Sequence, residues 1–250
     1  MEEDFNGSPQ VVAIRKRKTK TKMVAQHKWA KFRVLKEMNE LEPFLPATQK
    51  FRKRVLWDFI DKYGKVMLKP YLGHSGRGVI QVSRLEENRF AIHIENKKII
   101  VDGKRSVSDQ LEKLTNARRY IVQRRISLAE INKRPFDIRV MVKRKKQSPW
   151  KVTGMFAKVA ERDYVVSNVS GTLLPVEAAI EQSLMKPVPT EKLLKRIKKV
   201  CLTASKQLGN VYAAQNIIGF DIGLDHDANV WIIEANFKPS LRPLILLKGT

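Results

Sequence analysis

The chain has 250 residues, of which 43% are hydrophobic and 30% are charged. This composition is ordinary for a globular protein, and with no apolar run of membrane-spanning length it excludes disordered and transmembrane classes. Lysine and arginine number 49 against 25 acidic residues, a formal net charge of +24 that attracts polyanions. The acidic start of the chain lacks the regions of a secretory signal, so we expect an intracellular, cytoplasmic protein.

The first half of the chain predicts a short arm, two helices and a strand-rich block. Residues 1–22 are expected to form a basic arm that precedes a domain over residues 23–250. One helix is predicted near residues 21–38, and another over 54–63, ending at Gly64. Ser106 and Asp109 indicate a capping box that opens a short helix to residue 114. Strands are predicted over residues 65–69, 79–83, 89–94 and 98–101.

The second half continues this mixture of elements. Strands are predicted over residues 120–123, 137–142 and 151–159, and a helix over 190–208 with Gly209 as its stop. The single cysteine, Cys201, falls on the apolar side of this helix, where we expect a buried small side chain. Because strands flank helices without alternating βαβ units, the pattern favours an α+β fold over a doubly wound sheet.

Three glycines lie between two predicted strands, at Gly73, Gly76 and Gly78. A P-loop would need a lysine directly after the last glycine and then a helix, and a dinucleotide fingerprint would also open a helix. Neither arrangement is present. The order strand, glycine loop, strand instead predicts a lid whose backbone amides close over phosphate oxygens, with Ser75 and Arg77 as further donors.

Lys69 lies at the end of the apolar strand that leads into this glycine loop. Two interpretations are open, because the end of a strand often reaches water and lysine is usually exposed. The glycine lid that follows at once favours the other interpretation, in which Lys69 neutralises phosphate charge.

A polar turn centred between Asp227 and Ala228 is predicted to join two strands near the C-terminus. This register places Asp221 opposite Glu234, and Asn236 on the same face as Glu234. Like charges directly opposite each other destabilise a sheet. Carboxylate and amide oxygens gathered in a strand pair are therefore best explained by a bound divalent cation, for which Mg²⁺ is the natural candidate.

Two alternative interpretations exist for these acidic residues. Glu234 is an ordinary surface carboxylate in the first, although Val230 and Ile232 are expected to share its face and make that face apolar. The second is an EF-hand calcium loop, since the acids of the turn resemble the start of one. This is disfavoured because Val230 stands where glycine is needed and Asn236 where glutamate is needed.

Together these features resemble the ATP-grasp superfamily, in which two α+β lobes hold ATP between them. The resemblance implies a smaller lid lobe over about residues 50–125, with the remainder forming the metal-binding lobe. It also implies that the folded domain preceding this region in full-length ATP-grasp ligases is lacking here. Within the superfamily, five motifs are similar to the YheC/YheD endospore-coat-associated group: Leu45-Pro-Ala-Thr48, Pro135-Phe-Asp137-Ile-Arg139, Trp150-Lys-Val-Thr-Gly154, Ser167-Asn168-Val-Ser-Gly171 and Trp231-Ile-Ile-Glu234-Ala-Asn236-Phe-Lys238-Pro.

The resemblance assigns roles to residues scattered along the chain. It implies that Lys28 and Lys69 face the phosphates of ATP beneath the lid glycines. Arg139 and Lys158 are implied to approach the γ-phosphate or an acyl phosphate, and Mg²⁺ is implied as the cofactor ion. The implied adenine pocket consists of Gln123, Arg124, Arg125 and Ile126, and the implied metal ligands are Asp221, Glu234 and Asn236.

Three positions depart from the pattern of the superfamily. Arg124 stands where an acidic or amide residue is usual, Lys158 where arginine is usual, and Thr172 where a second glycine is usual. The change at Lys158 matters most, because lysine cannot make the planar two-point contact of a guanidinium group.

The function implied by the resemblance is that of an ATP-dependent ligase, which activates a carboxylate as an acyl phosphate for capture by an amine. The departures leave open an ATP-binding structural or spore-coat-associated protein with reduced chemistry. The charge of +24 leaves open a third function, binding of an acidic polymer or nucleic acid through the basic surface. The basic runs at residues 15–18, 143–146 and 195–199 are spread along the chain, which indicates no single binding footprint.

Overall fold

The computed structural model describes residues 27–73, 76–145, 148–161 and 170–241; the predicted arm at residues 1–22 lies outside them. None of the helices in these ranges is long and apolar enough to cross a membrane. The helices are α1 (Lys28–Lys36), α2 (Lys53–Tyr63), α3 (Lys104–Thr115), α4 (Val176–Glu181) and α5 (Thr190–Val211), with a 3₁₀ helix at Asn39–Phe44. The strands are β1 (Thr48–Lys50), β2 (Lys65–Pro70), β3 (Ile80–Glu86), β4 (Arg89–Ile94), β5 (Lys97–Asp102), β6 (Tyr120–Arg124), β7 (Glu130–Ile131), β8 (Arg134–Lys143), β9 (Lys151–Ala160), β10 (Ser170–Leu174), β11 (Ile217–Leu224) and β12 (Val230–Asn236).

The first sheet is antiparallel, with strand order β1-β6-β2-β3-β4-β5. Alternate side chains of its strands, such as Val66 and Leu68 of β2, form a core with apolar residues of α2 and α3. Because side chains alternate across a strand, Met67 and Lys69 point to the opposite face of the sheet. That second face carries the polar groups described below.

The second sheet is also antiparallel, with strand order β10-β9-β8-β11-β12 and β7 paired to β8. Its inner face packs on α1, α4 and α5, where Cys201 is fully buried as expected. The two sheets are joined without parallel βαβ units, so the predicted α+β fold is confirmed.

The hairpin of β11 and β12 contains one extra residue. Leu224 pairs with Val230, so the turn is centred on Asp227, half a residue before the predicted centre. The register then shifts because Ile233 has no partner of its own, and Asp221 pairs with Glu234 as predicted. This bulge restores a pairing that the turn alone would have displaced by one residue.

Because of this bulge, the side chains of β12 do not all lie on the faces predicted for them. Val230 and Ile232 lie in the helix-covered core, and Ala235 and Phe237 continue that core face beyond the bulge. Glu234 therefore does not share a face with Val230 and Ile232, and the prediction of one apolar stripe was wrong. A bulge turns the following residues over, which places Glu234 on the opposite face with Asp221.

Asp225 organises the turn between these strands. One carboxylate oxygen accepts hydrogen bonds from the backbone N–H groups of Asp227 and Asn229, at 3.1 and 2.8 Å. The other accepts from Asn229 Nδ2 and from Trp231 Nε1, at 3.1 and 2.9 Å. The acidic residue that most resembles the start of a calcium loop thus holds the turn itself closed.

Two helix boundaries that were predicted from a capping box and a glycine stop were wrong. Helix α5 continues past Gly209 to Val211, and a Cβ at Gly209 would lie 3.0 Å from the indole nitrogen of Trp150, so this glycine permits close packing inside the helix. Helix α3 begins at Lys104 after Gly103, whose φ of 82° turns the chain from β5 into the helix. Ser106 therefore lies inside α3 and does not cap it.

We expect Leu208→Ala to lower the free energy of unfolding by about 2–5 kcal/mol, because Leu208 is fully buried in the core of the second sheet. Leu184→Ala, the same change at a side chain that is 73% exposed, should alter it by less than about 0.5 kcal/mol. Urea unfolding of both variants measures the difference. Equal losses would contradict the assignment of this core.

Candidate functional site between the two sheets

Lys69 is buried, and it lies on the face of the first sheet opposite α2 and α3. Its Nζ donates a hydrogen bond to Gln123 Oε1 at 2.6 Å, and Gln123 Nε2 donates to Thr48 Oγ1 at 2.9 Å. Only 7% of Lys69 is exposed, which rules out the interpretation as a solvent-exposed strand end. Burial lowers the pKa of Lys69 to about 8, so its charge is poorly compensated by the surrounding protein.

The glycine loop borders the same cleft. Gly73, Gly76 and Arg77 line it, while Ser75 lies outside the described residues. Gly76 and Gly78 both have a φ of 72°, a conformation that glycine adopts without strain. A side chain at Gly78 would also approach the hydroxyl of Tyr120, at 3.2 Å from the added Cβ. Glycine is therefore required here by the backbone and by the packing.

Asp221 is the centre of an ionic cluster on the face of the second sheet opposite α1, α4 and α5. Its Oδ1 accepts hydrogen bonds from Arg139 Nε at 2.8 Å and from Lys158 Nζ at 3.1 Å, while Oδ2 accepts from Asn236 Nδ2 at 3.0 Å. Burial alone would raise the pKa of Asp221, but the charges of Lys158 and Arg139 outweigh burial and hold it below its ordinary range. The carboxylate therefore stays ionised.

Asp137 belongs to the same cluster, although the sequence assigned it no role. Lys158 Nζ lies 2.9 Å from Asp137 Oδ1 and so joins two buried carboxylates. Burial raises the pKa of Asp137 to about 6, against the lowering effect of Lys158. The signal was available, because Asp137 and Arg139 are two residues apart on one strand and therefore share a face.

Lys28 connects the two halves of the site. Its Nζ donates to Glu234 Oε1 at 2.7 Å and to the carbonyl oxygen of Gly73 at 3.1 Å. One lysine of α1 thus links the glycine loop to the hairpin that carries the predicted metal ligands.

Lys31, one turn later in α1, is a second residue that sequence reasoning missed. It donates a hydrogen bond to the carbonyl oxygen of Ala235, next to Glu234, and lies 5.1 Å from the ring centre of Phe237. Burial lowers the pKa of Lys31 to about 8. The spacing of three residues from Lys28 on a helix was the available signal.

Residues 123–126 border the cleft where the chain passes from the first sheet to the second. The guanidinium group of Arg124 lies 5.5 Å from the ring of Tyr63 and 5.4 Å from the ring of Trp231, so it bridges residues of both halves. Arg125 is half-buried and its Nε donates to Gln81 Oε1 at 3.1 Å. Burial lowers the pKa of Arg125, despite the opposing charge of Glu130.

The cleft brings together most of the predicted site residues. The space between its lining atoms is about 840 Å³, which includes a part open to solvent. The lining residues do not include Gly78, Arg139, Lys158 or Asn236. The last three of these contact Asp221, which does line the cleft. The predicted residues that line the cleft are Lys28, Lys69, Gly73, Gly76, Arg77, Gln123, Arg124, Arg125, Ile126, Asp221 and Glu234.

The donor set at the hairpin fits Mg²⁺. Within the described ranges no three histidine, cysteine, aspartate or glutamate side chains form a metal cluster. The predicted metal ligands are instead two carboxylates, of Asp221 and Glu234, and the amide of Asn236. These are the hard oxygen ligands that Mg²⁺ prefers when it is also bound by phosphates. In this structure Lys28, Arg139 and Lys158 supply the positive charge beside the carboxylates.

A sequence profile of YheC/D-like ATP-grasp proteins matches residues 19–247. The chain belongs to this family. It is 26% identical over 221 residues to the endospore coat-associated protein YheD of Bacillus subtilis (strain 168), covering 85% of this chain and 48% of that protein. It is 24% identical over 228 residues to YheC of the same organism, covering 87% of this chain and 61% of the relative. The chain thus spans about half the length of the curated relatives that it matches.

Solved structures of ATP-grasp ligases share this fold. The D-alanine–D-alanine ligase from Coxiella burnetii superposes with a TM-score of 0.51 at 13% identity, covering 85% of this chain and 47% of that chain. The ligase PsnB in complex with a minimal precursor gives a TM-score of 0.51 at 15% identity, covering 95% and 67%. At these identities the similarity establishes the ATP-grasp fold and leaves the substrates open.

The lowered pKa of Lys69 makes stability depend on pH. Its proton leaves the folded protein near pH 8, against 10.5 for an exposed lysine in the unfolded chain. Between these values the unfolded chain binds more protons, so the free energy of unfolding should rise with pH, by on the order of 1–3 kcal/mol for this group.

Urea unfolding across this window measures the effect. Lys69→Met should remove the part of the rise in the free energy of unfolding that Lys69 causes, and leave the part that Lys31 causes. Lys65→Met, at an exposed lysine of the same strand, should retain the entire rise. A rise of the same size in all three proteins would contradict the burial of an incompletely compensated charge at Lys69.

Proposed function

We propose that the protein is an ATP-dependent ligase that activates a carboxylate as an acyl phosphate, which an amine then captures. The observation that carries this proposal is the opposition of two sets of groups across one cleft. Lys69 and the glycine loop lie on one side, while Asp221 and Glu234 lie on the other, with Lys28 between them. This arrangement suits a triphosphate held between positive side chains and a metal ion.

The side chains supply position and charge, and little covalent chemistry. Lys69 and the amides of the glycine loop bind the phosphates, and residues 123–126 enclose the adenine. Asp221, Glu234 and Asn236 would hold Mg²⁺, which when bound neutralises phosphate charge. Lys28 exchanges its contact with Glu234 for one with phosphate in this proposal.

The proposed reaction has two balanced steps. A carboxylate oxygen of the donor forms a bond to the γ-phosphorus while the bond from that phosphorus to the bridging oxygen breaks, and ADP leaves with the electron pair. Amine nitrogen then attacks the acyl carbon, inorganic phosphate departs, and the amine loses a proton. Arg139 and Lys158, fixed by Asp221, offset the charge that develops on the transferred group.

A second candidate function is an ATP-binding structural protein without turnover. Arg124 favours it, because a cation stacked on Tyr63 and Trp231 ties the two halves together at the edge of the nucleotide pocket. The names of the relatives YheD and YheC, endospore coat-associated proteins, are compatible with such a role in the spore. This candidate predicts thermal stabilisation by Mg-ATP with no release of phosphate.

The basic runs do not support binding of a polyanion. Within the run at residues 143–146, Arg144 donates hydrogen bonds to the carbonyl oxygens of Ala213 and Gln215 and stacks on Trp150, which indicates a structural role. The basic residues of the run at residues 195–199 lie on the exposed side of α5, while Ile197 between them is buried. These runs are on different elements, so no single groove for an acidic polymer or nucleic acid follows from them.

Trapping with hydroxylamine tests the ligase. Wild-type protein with labelled ATP, Mg²⁺ and a panel of carboxylic acids and acidic peptides should release ADP and phosphate in the presence of its donor acid. Hydroxylamine should convert the same acid to a hydroxamate, because it replaces the amine. Stabilisation by Mg-ATP without hydroxamate or phosphate across the panel would favour the structural candidate.

Variants at position 158 give the sharper test. Lys158→Met should reduce turnover by about 10²–10³-fold, since one charge that stabilises the transition state is removed. Lys158→Arg should retain turnover, because the guanidinium group preserves the positive charge and adds a two-point contact. Lys151→Met, at an exposed lysine of the same strand, is the matched control and should be unchanged. Full turnover in Lys158→Met would contradict the assigned role.

A further inference from the structure

Strand β5 leaves one edge of the first sheet exposed. It is six residues long, and among the described residues only β4 pairs with it. Ile99 and Ile100 of this strand are 38% and 49% exposed. An exposed strand edge with apolar side chains is a template for pairing with another strand.

Two of the other three edges, those of β1 and β12, are protected differently. Strand β1, at the opposite end of the first sheet, has three polar residues. In the second sheet α1 lies against the edge strand β12, where Lys31 donates to the carbonyl oxygen of Ala235. The edge of β5 thus combines length, apolar side chains and a missing neighbour within the described part of the chain.

The sequence of β5 is complementary to itself when read antiparallel. Register with β4 places Ile99 and Val101 opposite the core residues Ile92 and Phe90, on the helix-bearing face. Lys98, Ile100 and Asp102 therefore share the other face of the strand.

Two copies can pair about a two-fold axis at Ile100 so that the helix-bearing faces of both copies lie on the same side of the joined sheet. Lys98 of each copy then lies opposite Asp102 of the other, and the two Ile100 side chains meet at the axis. On the helix-bearing face, Ile99 lies opposite Val101 of the second copy. Every opposed pair is apolar with apolar or positive with negative, the pairs that stabilise antiparallel sheets.

We propose that β5 is a homodimer interface, in which two copies of this chain pair their edges antiparallel about Ile100 to form one continuous twelve-stranded sheet. The charges of Lys98 and Asp102 select a second copy over an unrelated strand. A lysine on an edge strand can also simply prevent pairing. Asp102 also lies opposite Arg89 of β4, with 4.0 Å between Arg89 Nε and Asp102 Oδ1, so it can contact Arg89 within the chain and Lys98 of a second copy on the free edge.

This interface would leave the nucleotide cleft open. Strand β5 is three strands from β2, which carries Lys69, a separation of about 14 Å at the usual strand spacing. The contact area is small and the chain carries a charge of +24, so repulsion between copies opposes association. We therefore expect a concentration-dependent equilibrium between monomer and dimer.

Single cysteines test the register. Ile100→Cys should form a disulfide-linked dimer on mild oxidation, because opposed residues in antiparallel strands have Cα atoms about 4.5–5.5 Å apart, within disulfide range. Ile99→Cys, at the neighbouring residue, should not, since the two copies of residue 99 lie diagonally at more than about 7 Å. The native Cys201 is fully buried and should not interfere. Equal cross-linking of both variants, or none in either, overturns the proposal.

Charge exchange tests the pairs on the whole chain by analytical ultracentrifugation at about 0.15 M ionic strength. Lys98→Glu and Asp102→Lys should each weaken dimerisation about tenfold, because each creates two like-charge pairs. The double variant should restore it. Lys97→Glu, which changes the net charge as Lys98→Glu does but lies outside the opposed pairs, should have a smaller effect than Lys98→Glu.

Three results would exclude the interface. A chain that is monomeric at every soluble concentration has its β5 edge closed in another way. A dimer insensitive to all of these variants uses another surface. A double variant no better than the single variants shows that Lys98 and Asp102 are not opposed.

Discussion

The buried ionic cluster around Asp221 is the constraint on which the proposed site depends. One carboxylate fixes Arg139, Lys158 and Asn236 on a single face of the second sheet. A buried carboxylate is stable as an ion only when such partners surround it, and removing one partner leaves uncompensated charge. The cluster therefore fixes in advance the positions of the groups that a phosphorylated substrate would meet.

The bulge in β12 and the lysines of α1 extend this constraint across the cleft. The extra residue Ile233 keeps Glu234 on the face of Asp221 while Ala235 and Phe237 remain in the core. Lys28 and Lys31 then bind that segment through Glu234 and the backbone of Ala235. Lys28 also contacts Gly73, so the position of the glycine loop depends on the same helix. We therefore expect nucleotide binding to be coupled to the position of the two sheets relative to each other.

The features of the fold that depend on local sequence pattern are predictable from the sequence. The α+β class, most strands and the pairing of Asp221 with Glu234 followed from periodicity and turn residues. The bulge was missed because an inserted residue changes faces without any change in composition. The spacing of Asp137 from Arg139 and of Lys31 from Lys28 indicated shared faces, but the burial of Asp137 and Lys31 depends on strands and helices far apart in the chain. Gly209 was misread as a helix stop because the indole of Trp150, which requires it, is distant in sequence.

Calorimetric titration of adenine nucleotide with and without Mg²⁺ tests the central claim most directly. We expect Mg²⁺-dependent binding to the wild-type protein, and loss of that dependence in Glu234→Gln, since the charged oxygen ligand is removed. Glu181→Gln, at an exposed position on α4, should bind as the wild type does. Nucleotide binding that ignores Mg²⁺, or that is unchanged in Glu234→Gln, would contradict a metal-nucleotide site between the two sheets.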